Sequence, residues 1–107
     1  MSLDFYLERT QPTTVFSRNI THNLTKMASE AGIYEVLWHP SEHGYQKAEQ
    51  AIPVLRKGLE LLEAEPERFE KFNSKHGWGM YEHFVPFVRA VLEACEEFPD
   101  ADIVVSI

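Results

Sequence analysis

The segment Ser2–Glu8, SLDFYLE, alternates between apolar and polar side chains. Leu3, Phe5 and Leu7 fall on one side of an extended chain, and the residues between them fall on the other. Alternation of this kind is typical of a strand with one face in a core and the other in solvent. The segment therefore predicts a half-buried β-strand, which needs partner strands beside it.

Two other segments predict those partners. Thr13–Ser17, TTVFS, is rich in β-branched and aromatic residues, and the turn-forming segment Gln11-Pro12-Thr13 would join it to the first strand as a hairpin. At the other end of the chain, DIVVSI predicts a third strand. We expect a small antiparallel sheet made of the N-terminal hairpin and the C-terminal strand.

Between these strands the apolar spacing becomes helical. One predicted helix begins near Ile20, with Asn19 or Thr21 as its N-cap, and its apolar face comprises Ile20, Leu24, Met27, Ala28 and Ala31. Gly32 would end it in the left-handed conformation, with Ile33 folding back over the last turn. The following segment IYEVLW fits either a short strand or a short helix, and His39-Pro40 must end it in both cases.

The second half of the chain predicts further helices. Ser41–Gly44 predicts the N-terminal end of a helix, which would run from about residue 45 to residue 64. PERFEKF adds a short helix, NSKHGWG a loop, and the last helix would span about residues 80–98. Pro53 and Pro86 lie inside the two long helical patterns, and each predicts a kink or a restart.

The element order is therefore β-β-α-(short)-α-α-β. It predicts an α+β fold in which three or four helices pack on one face of the small sheet. The 107 residues fit a single domain spanning 1–107.

Composition narrows the functional classes. The chain is 44% hydrophobic and 25% charged, with a net charge of −7 and a single cysteine. We expect no nucleic-acid partner, because no basic stripe is visible, and no membrane partner, because no apolar run approaches about 18 residues. A cytoplasmic protein without a cofactor is the expectation that follows. Cys95, on the apolar face of the last helix, is expected to be a small buried hydrophobe.

The segment NITHN concentrates polar side chains at the start of the first predicted helix. On a helix beginning near Asn19, one polar stripe would contain Asn19, His22, Asn23, Lys26 and Glu30. Amides offer paired donors and acceptors, and an imidazole moves a proton near neutral pH, so the stripe could hold a polar ligand. The alternative is a helix cap followed by a solvated face.

A metal site is a second possibility. His39 and His43 are four residues apart with Glu42 between them, and His22 would have to supply a third ligand. Pro40 prevents the first two from lying on one regular helix, so no metal is favoured.

The chain also contains no phosphate-binding loop, dinucleotide fingerprint, Gly-x-Ser-x-Gly motif or paired cysteines, and no named reaction is supported.

Trp78 lies between Gly77 and Gly79 in the segment HGWGMYEHF, which also contains Tyr81. An exposed tryptophan here could anchor a partner, whereas a tryptophan folded over the core would be the commoner arrangement.

Three segments of the chain resemble small proteins found in phages, prophages and some bacterial genomes. They are NITHNL-x-x-MA-x-x-AGIY-x-x-LW-x-P from Asn19, GLELL…PERFEKFN from Gly58 and GWG-x-YE-x-F from Gly77. The resemblance implies a family without an established activity. More distant members carry tyrosine in place of His22, which favours a hydrogen-bonding or stacking role for that position over metal ligation.

Three hypotheses follow from the sequence. The preferred one is a small accessory protein that binds a protein partner or a small polar ligand. The second is a metal-dependent enzyme built on His22, His39 and His43 with Glu42, and the third is a structural domain that forms a homodimer. The preferred binding residues are Asn19, Thr21, His22, Asn23, Lys26, Trp38, Trp78 and Tyr81.

Overall fold

A computed structural model of the chain describes residues 2–9 and 13–107. Within these ranges, three antiparallel strands and five α-helices form an α+β fold. The fold class and the sheet are as predicted, but the described residues form five α-helices instead of three or four. Two short 3₁₀ turns, at His22–Leu24 and Ser41–His43, interrupt the helical layer. The elements are β1 (Ser2–Glu8), β2 (Thr14–Thr21), α1 (Thr25–Glu30), α2 (Tyr34–Trp38), α3 (Ala48–Ala64), α4 (Pro66–Glu70), α5 (Tyr81–Glu97) and β3 (Asp102–Ser106).

Strand β1 is the centre of the sheet. The strand order is β2-β1-β3, and β1 pairs antiparallel with both neighbours. Leu3, Phe5 and Leu7 are each 0% exposed, which confirms the predicted half-buried strand. Of the turn predicted at Gln11-Pro12-Thr13, Gln11 and Pro12 lie outside the described ranges.

Strand β2 continues beyond its predicted end. Ile20 lies opposite Leu3 and Asn19 opposite Asp4 in the sheet, so the prediction that Ile20 begins a helix is wrong. Because β1 begins at Ser2, which pairs with Thr21, hydrogen bonding to β1 keeps this segment extended. Ile20 has helical spacing with the later apolar residues, but pairing with β1, which is distant in sequence, keeps it in a strand.

The end of helix α1 confirms the prediction at Gly32. This residue has φ of 77°, and its N–H donates to the Ser29 carbonyl at 3.0 Å. The Ile33 N–H donates to the Ala28 carbonyl at 2.9 Å, which completes a Schellman motif. The next segment forms helix α2, rather than the alternative short strand, and ends at Trp38, just before His39-Pro40.

Helix α3 begins later than predicted. The 3₁₀ turn Ser41–His43 ends at Gly44, which has φ of 84°, and the chain then runs extended instead of entering a helix at residue 45. The Ile103 N–H donates to the Gln46 carbonyl at 2.9 Å, and the Ala48 N–H donates to the Ala101 carbonyl at 2.8 Å. Pairing with the segment around the start of β3 therefore delays the helix to Ala48.

Neither interior proline splits its helix. Pro53 lies within the 17 residues of α3, and Pro86 within the 17 residues of α5. Both prolines are on the exposed side of their helices. Water can therefore satisfy the carbonyl group that each missing N–H leaves without a partner.

The two long helices, α3 and α5, pack against each other and contribute many of the buried side chains. Surface ion pairs join them, Arg56 with Glu96 at 2.6 Å and Arg89 with Glu63. No helix in residues 2–9 and 13–107 has both the length and the apolar character needed to cross a membrane.

Gly58 of α3 packs tightly against the turn between α1 and α2. A Cβ atom at this position would lie 2.3 Å from Cγ2 of Ile33, a side chain that is itself 0% exposed. A glycine inside a helix ordinarily costs about 0.5–1 kcal/mol relative to alanine. Here it is required by the close approach of Ile33.

We therefore expect Gly58→Ala to lower the free energy of unfolding by about 1–3 kcal/mol, the usual cost of overpacking a core. Urea denaturation monitored by circular dichroism measures this change. In an Ile33→Ala background the clashing methyl group is gone, so the same substitution should cost much less. Equal costs in the two backgrounds would contradict the assignment of the clash to Ile33.

Candidate functional site

The chain leaves the sheet through the 3₁₀ turn His22–Leu24. Of the two predicted caps, Thr21 is the one used, because its Oγ1 accepts a hydrogen bond of 3.3 Å from the Asn23 N–H. Asn19 instead lies in β2, where its Nδ2 donates to Ser2 Oγ at 2.8 Å and to Asp4 Oδ1 at 2.7 Å. The predicted five-residue polar stripe is therefore wrong, since Asn19 is in a strand.

Asn23 connects this turn to the loop between α4 and α5. Its Nδ2 donates to the Trp78 carbonyl at 3.2 Å. Gly79, with φ of 92°, lies so close that a Cβ atom there would be 2.7 Å from Cβ of Asn23. Both the positive φ and the close approach require glycine at this position. Asn23 thus fixes the backbone of the Trp78 loop against the turn.

The indole of Trp78 faces solvent. The side chain is 73% exposed, and the other large hydrophobic side chains exposed among the described residues are Val104 and Ile107. The interpretation of Trp78 as a lid over the core is wrong. The hydrogen bond to Asn23 and the close packing of Gly79 hold the loop beside the 3₁₀ turn, and the indole remains on the surface.

A shallow cleft of about 320 Å³ lies where these segments meet. It joins the end of β2 to the Trp78 loop and the first turn of α5, so Asn19, Thr21 and Trp78 of the predicted binding set lie together. The lining residues are Asn19, Ile20, Thr21, Leu24, Gly77, Trp78, Gly79 and His83.

His22 is not among the residues that line the cleft, and its ring contacts Trp38. Their ring centroids are 6.3 Å apart at an interplanar angle of 72°, an edge-to-face contact. Trp38 is only 2% exposed, so it belongs to the core, and its prediction as a binding residue is wrong. Neither Nε2 of His22 nor Nε1 of Trp38 has a hydrogen-bond partner among the described residues, although both atoms are buried.

Two other predicted site residues lie outside the cleft. The Tyr81 hydroxyl donates to the Leu62 carbonyl at 2.6 Å, and burial raises the pKa of this phenol, so Tyr81 joins α5 to α3. Lys26 is exposed and borders a separate depression of about 240 Å³ together with Thr25, Ser29 and Tyr34. The structure therefore brings together only part of the predicted set.

His39 belongs to a cluster that the sequence analysis did not identify. Its Nδ1 lies 3.0 Å from Glu42 Oε2, and its Nε2 lies 3.0 Å from the Tyr34 hydroxyl. The sequence contains one signal for this cluster, the spacing of Tyr34, His39 and Glu42 around Pro40. That spacing predicts a contact only if the segment beginning at Tyr34 is a helix. Over residues 2–9 and 13–107, no three histidine, cysteine or acidic side chains are grouped so that they could hold a metal ion. The convergence of His22, His39 and His43 that the metal hypothesis requires is therefore not found there.

Comparison of the chain with known protein families, with curated proteins and with solved structures finds no match. The resemblance to small phage and prophage proteins stays a prediction.

Replacing Asn23 should loosen the Trp78 loop. Asn23→Ala removes the donor to the Trp78 carbonyl, so we expect the backbone order parameter of Trp78 from ¹⁵N relaxation to fall and stability to drop by about 1 kcal/mol. Asn19→Ala is the matched control, because Asn19 borders the same cleft but hydrogen-bonds to Ser2 and Asp4. An unchanged order parameter in Asn23→Ala would show that other contacts fix the loop.

Cys95 is buried, as predicted, and burial raises the pKa of its thiol to about 12, with Glu96 adding to the shift. A rise from 9.0 to about 12 lowers the thiolate fraction at neutral pH by about a thousandfold. We expect dithionitrobenzoate at about pH 8 to modify the native protein at least that much more slowly than the urea-unfolded protein, because only the thiolate reacts. Rapid modification of the native protein would contradict the assigned environment.

Proposed function

We propose that the protein is a small cytoplasmic accessory protein, of phage or prophage type, that recognises a protein partner through the surface around Trp78. The observation that supports this proposal is the exposure of Trp78, at 73%, on a loop that Asn23 and Gly79 hold in place. Tryptophan is among the residues that contribute most to protein–protein binding energy. Burying an indole against a partner removes a large apolar surface from water.

The way in which the loop is held strengthens this argument. A side chain on a mobile loop loses conformational entropy on binding, and that loss opposes association. The Trp78 backbone is already tied to the 3₁₀ turn through Asn23, so less freedom remains to be lost. Asn19 and His83 border the same cleft and supply polar groups around the indole. An apolar centre with a polar rim is the usual anatomy of a recognition surface.

A small polar ligand is the second candidate. The cleft of about 320 Å³ lies at the lower end of the volumes that small-molecule sites occupy. Asn19 and His83 offer hydrogen-bonding groups there. The protein partner is preferred because most of the Trp78 side chain is exposed, whereas small-molecule sites usually enclose their ligand.

The test is affinity capture from a lysate of the cells that encode the protein, followed by measurement of the purified pair by calorimetry. We expect Trp78→Ala to weaken binding of the captured partner by at least about 2 kcal/mol, the effect of losing a central aromatic anchor. Val104→Ala is the matched control, because Val104 is 37% exposed but lies on β3. Sedimentation of the free protein shows whether the partner is a second copy of the chain.

Equal binding by Trp78→Ala and wild type would overturn the proposed surface. If capture yields no partner but a copurified small molecule dissociates in Asn19→Ala and His83→Ala, the second candidate replaces the first.

A further inference from the structure

A carboxylate, an imidazole and a hydroxyl lie in series at α2. Glu42 Oε2 is 3.0 Å from His39 Nδ1, and His39 Nε2 is 3.0 Å from the Tyr34 hydroxyl oxygen. Tyr34 is the first residue of α2, His39 follows its last residue, and Glu42 lies in the 3₁₀ turn Ser41–His43. The buried Pro40 between them turns the chain so that the three side chains meet.

The partners assign the proton positions of the neutral imidazole. An ionised carboxylate can only accept a hydrogen bond, so Glu42 requires the proton on His39 Nδ1. The Nε2 atom then carries a lone pair and accepts the hydrogen bond that the Tyr34 hydroxyl donates. A hydroxyl group becomes a better nucleophile when an adjacent base accepts its proton and a third group orients that base. Tyr34, His39 and Glu42 are arranged in this way.

The aromatic contacts hold this arrangement in place. The Tyr34 ring stacks on Trp38 with centroids 5.7 Å apart and an interplanar angle of 17°, and Trp38 is buried in the core. The His39 ring meets Tyr34 edge-on, with centroids 5.5 Å apart. The His39 side chain remains 30% exposed, so the base is reachable from solvent.

Tyr34 also borders the depression of about 240 Å³ that Thr25, Lys26 and Ser29 line. This depression gives an electrophile a place beside the tyrosine. Arg68 neutralises Glu30 in an ion pair of 2.6 Å. The other charged residues of 25–42 are Glu35, Glu42 and Lys26, so their net charge is negative and a phosphate group would be repelled more than a neutral carbonyl compound. An ester carbonyl is therefore the electrophile that fits the local charge.

We propose that Tyr34 is a nucleophile that accepts an acyl group from an activated ester, with His39 as its base and Glu42 as a positioning residue. The Tyr34 oxygen bonds to the acyl carbon while its proton passes to His39 Nε2. The bond between the acyl carbon and the leaving oxygen breaks, and His39 returns the proton to that oxygen. The products are O-acyl-Tyr34 and an alcohol, and no other reactant is needed. This site shares no residue with the Trp78 surface, so neither proposal depends on the other.

The test uses p-nitrophenyl acetate with the full chain at about pH 7.5. We expect a stoichiometric burst of p-nitrophenolate and acetylation of Tyr34, located by peptide mass spectrometry, at least about tenfold faster than of Tyr6 or Tyr45. Tyr34→Phe should abolish the burst. His39→Gln should slow it to the rate of the other tyrosines, whereas His43→Gln, which alters the neighbouring exposed histidine, should leave it unchanged.

Further variants separate chemistry from folding. Glu42→Gln should slow the burst without changing the melting temperature, because Glu42 is exposed. Free imidazole itself releases p-nitrophenolate from the ester, so rescue of His39→Ala by imidazole is read from the site of acetylation. We expect added imidazole to restore the preference for Tyr34 over Tyr6 and Tyr45 by peptide mass spectrometry, which a loss of structure would not allow. The proposal is overturned if Tyr34 reacts no faster than Tyr6 and Tyr45, if His39→Gln and His43→Gln react alike, or if the acetyl group is found on Lys26 with Tyr34 unmodified.

Discussion

The fold depends on the burial of one face of strand β1. Leu3, Phe5 and Leu7 are fully removed from water, and hydrogen bonding on both edges of the strand places β2 and β3 beside it. A central strand cannot shift its register by one residue without moving these three side chains to the solvent face. The register with β2 then sets Thr21 as the point where the chain leaves the sheet.

The end of β2 at Thr21 positions the residues that connect the two candidate sites. Two consecutive residues of the 3₁₀ turn have different roles: His22 contacts the buried Trp38, and Asn23 hydrogen-bonds to the loop of the exposed Trp78. Trp38 in turn supports the Tyr34 ring, which carries the hydroxyl that meets His39. The two tryptophans therefore have opposite environments but are connected to the same turn.

The two sites differ in what they can do. The Trp78 surface is an apolar group with a few polar neighbours, and that chemistry suits binding. The Tyr34, His39 and Glu42 cluster has hydrogen bonds in series from a hydroxyl to a carboxylate, and that chemistry suits proton transfer. Lys26, which the sequence grouped with the binding residues near Asn23, instead lies in the depression beside Tyr34.

The sequence by itself determined the features that local backbone and side-chain preferences control. The alternation in β1, the left-handed Gly32, the end of α2 before Pro40 and the burial of Cys95 each depend on neighbours a few residues away. Only the tertiary structure decided where pairing over long sequence distances overrides those preferences. Hydrogen bonds to β1 keep Ile20 extended, and Gln46 pairs near the start of β3 and so delays α3. The same reason explains the Trp78 surface, because the contact of Asn23 with the Trp78 loop spans 55 residues and leaves no periodic pattern in the sequence.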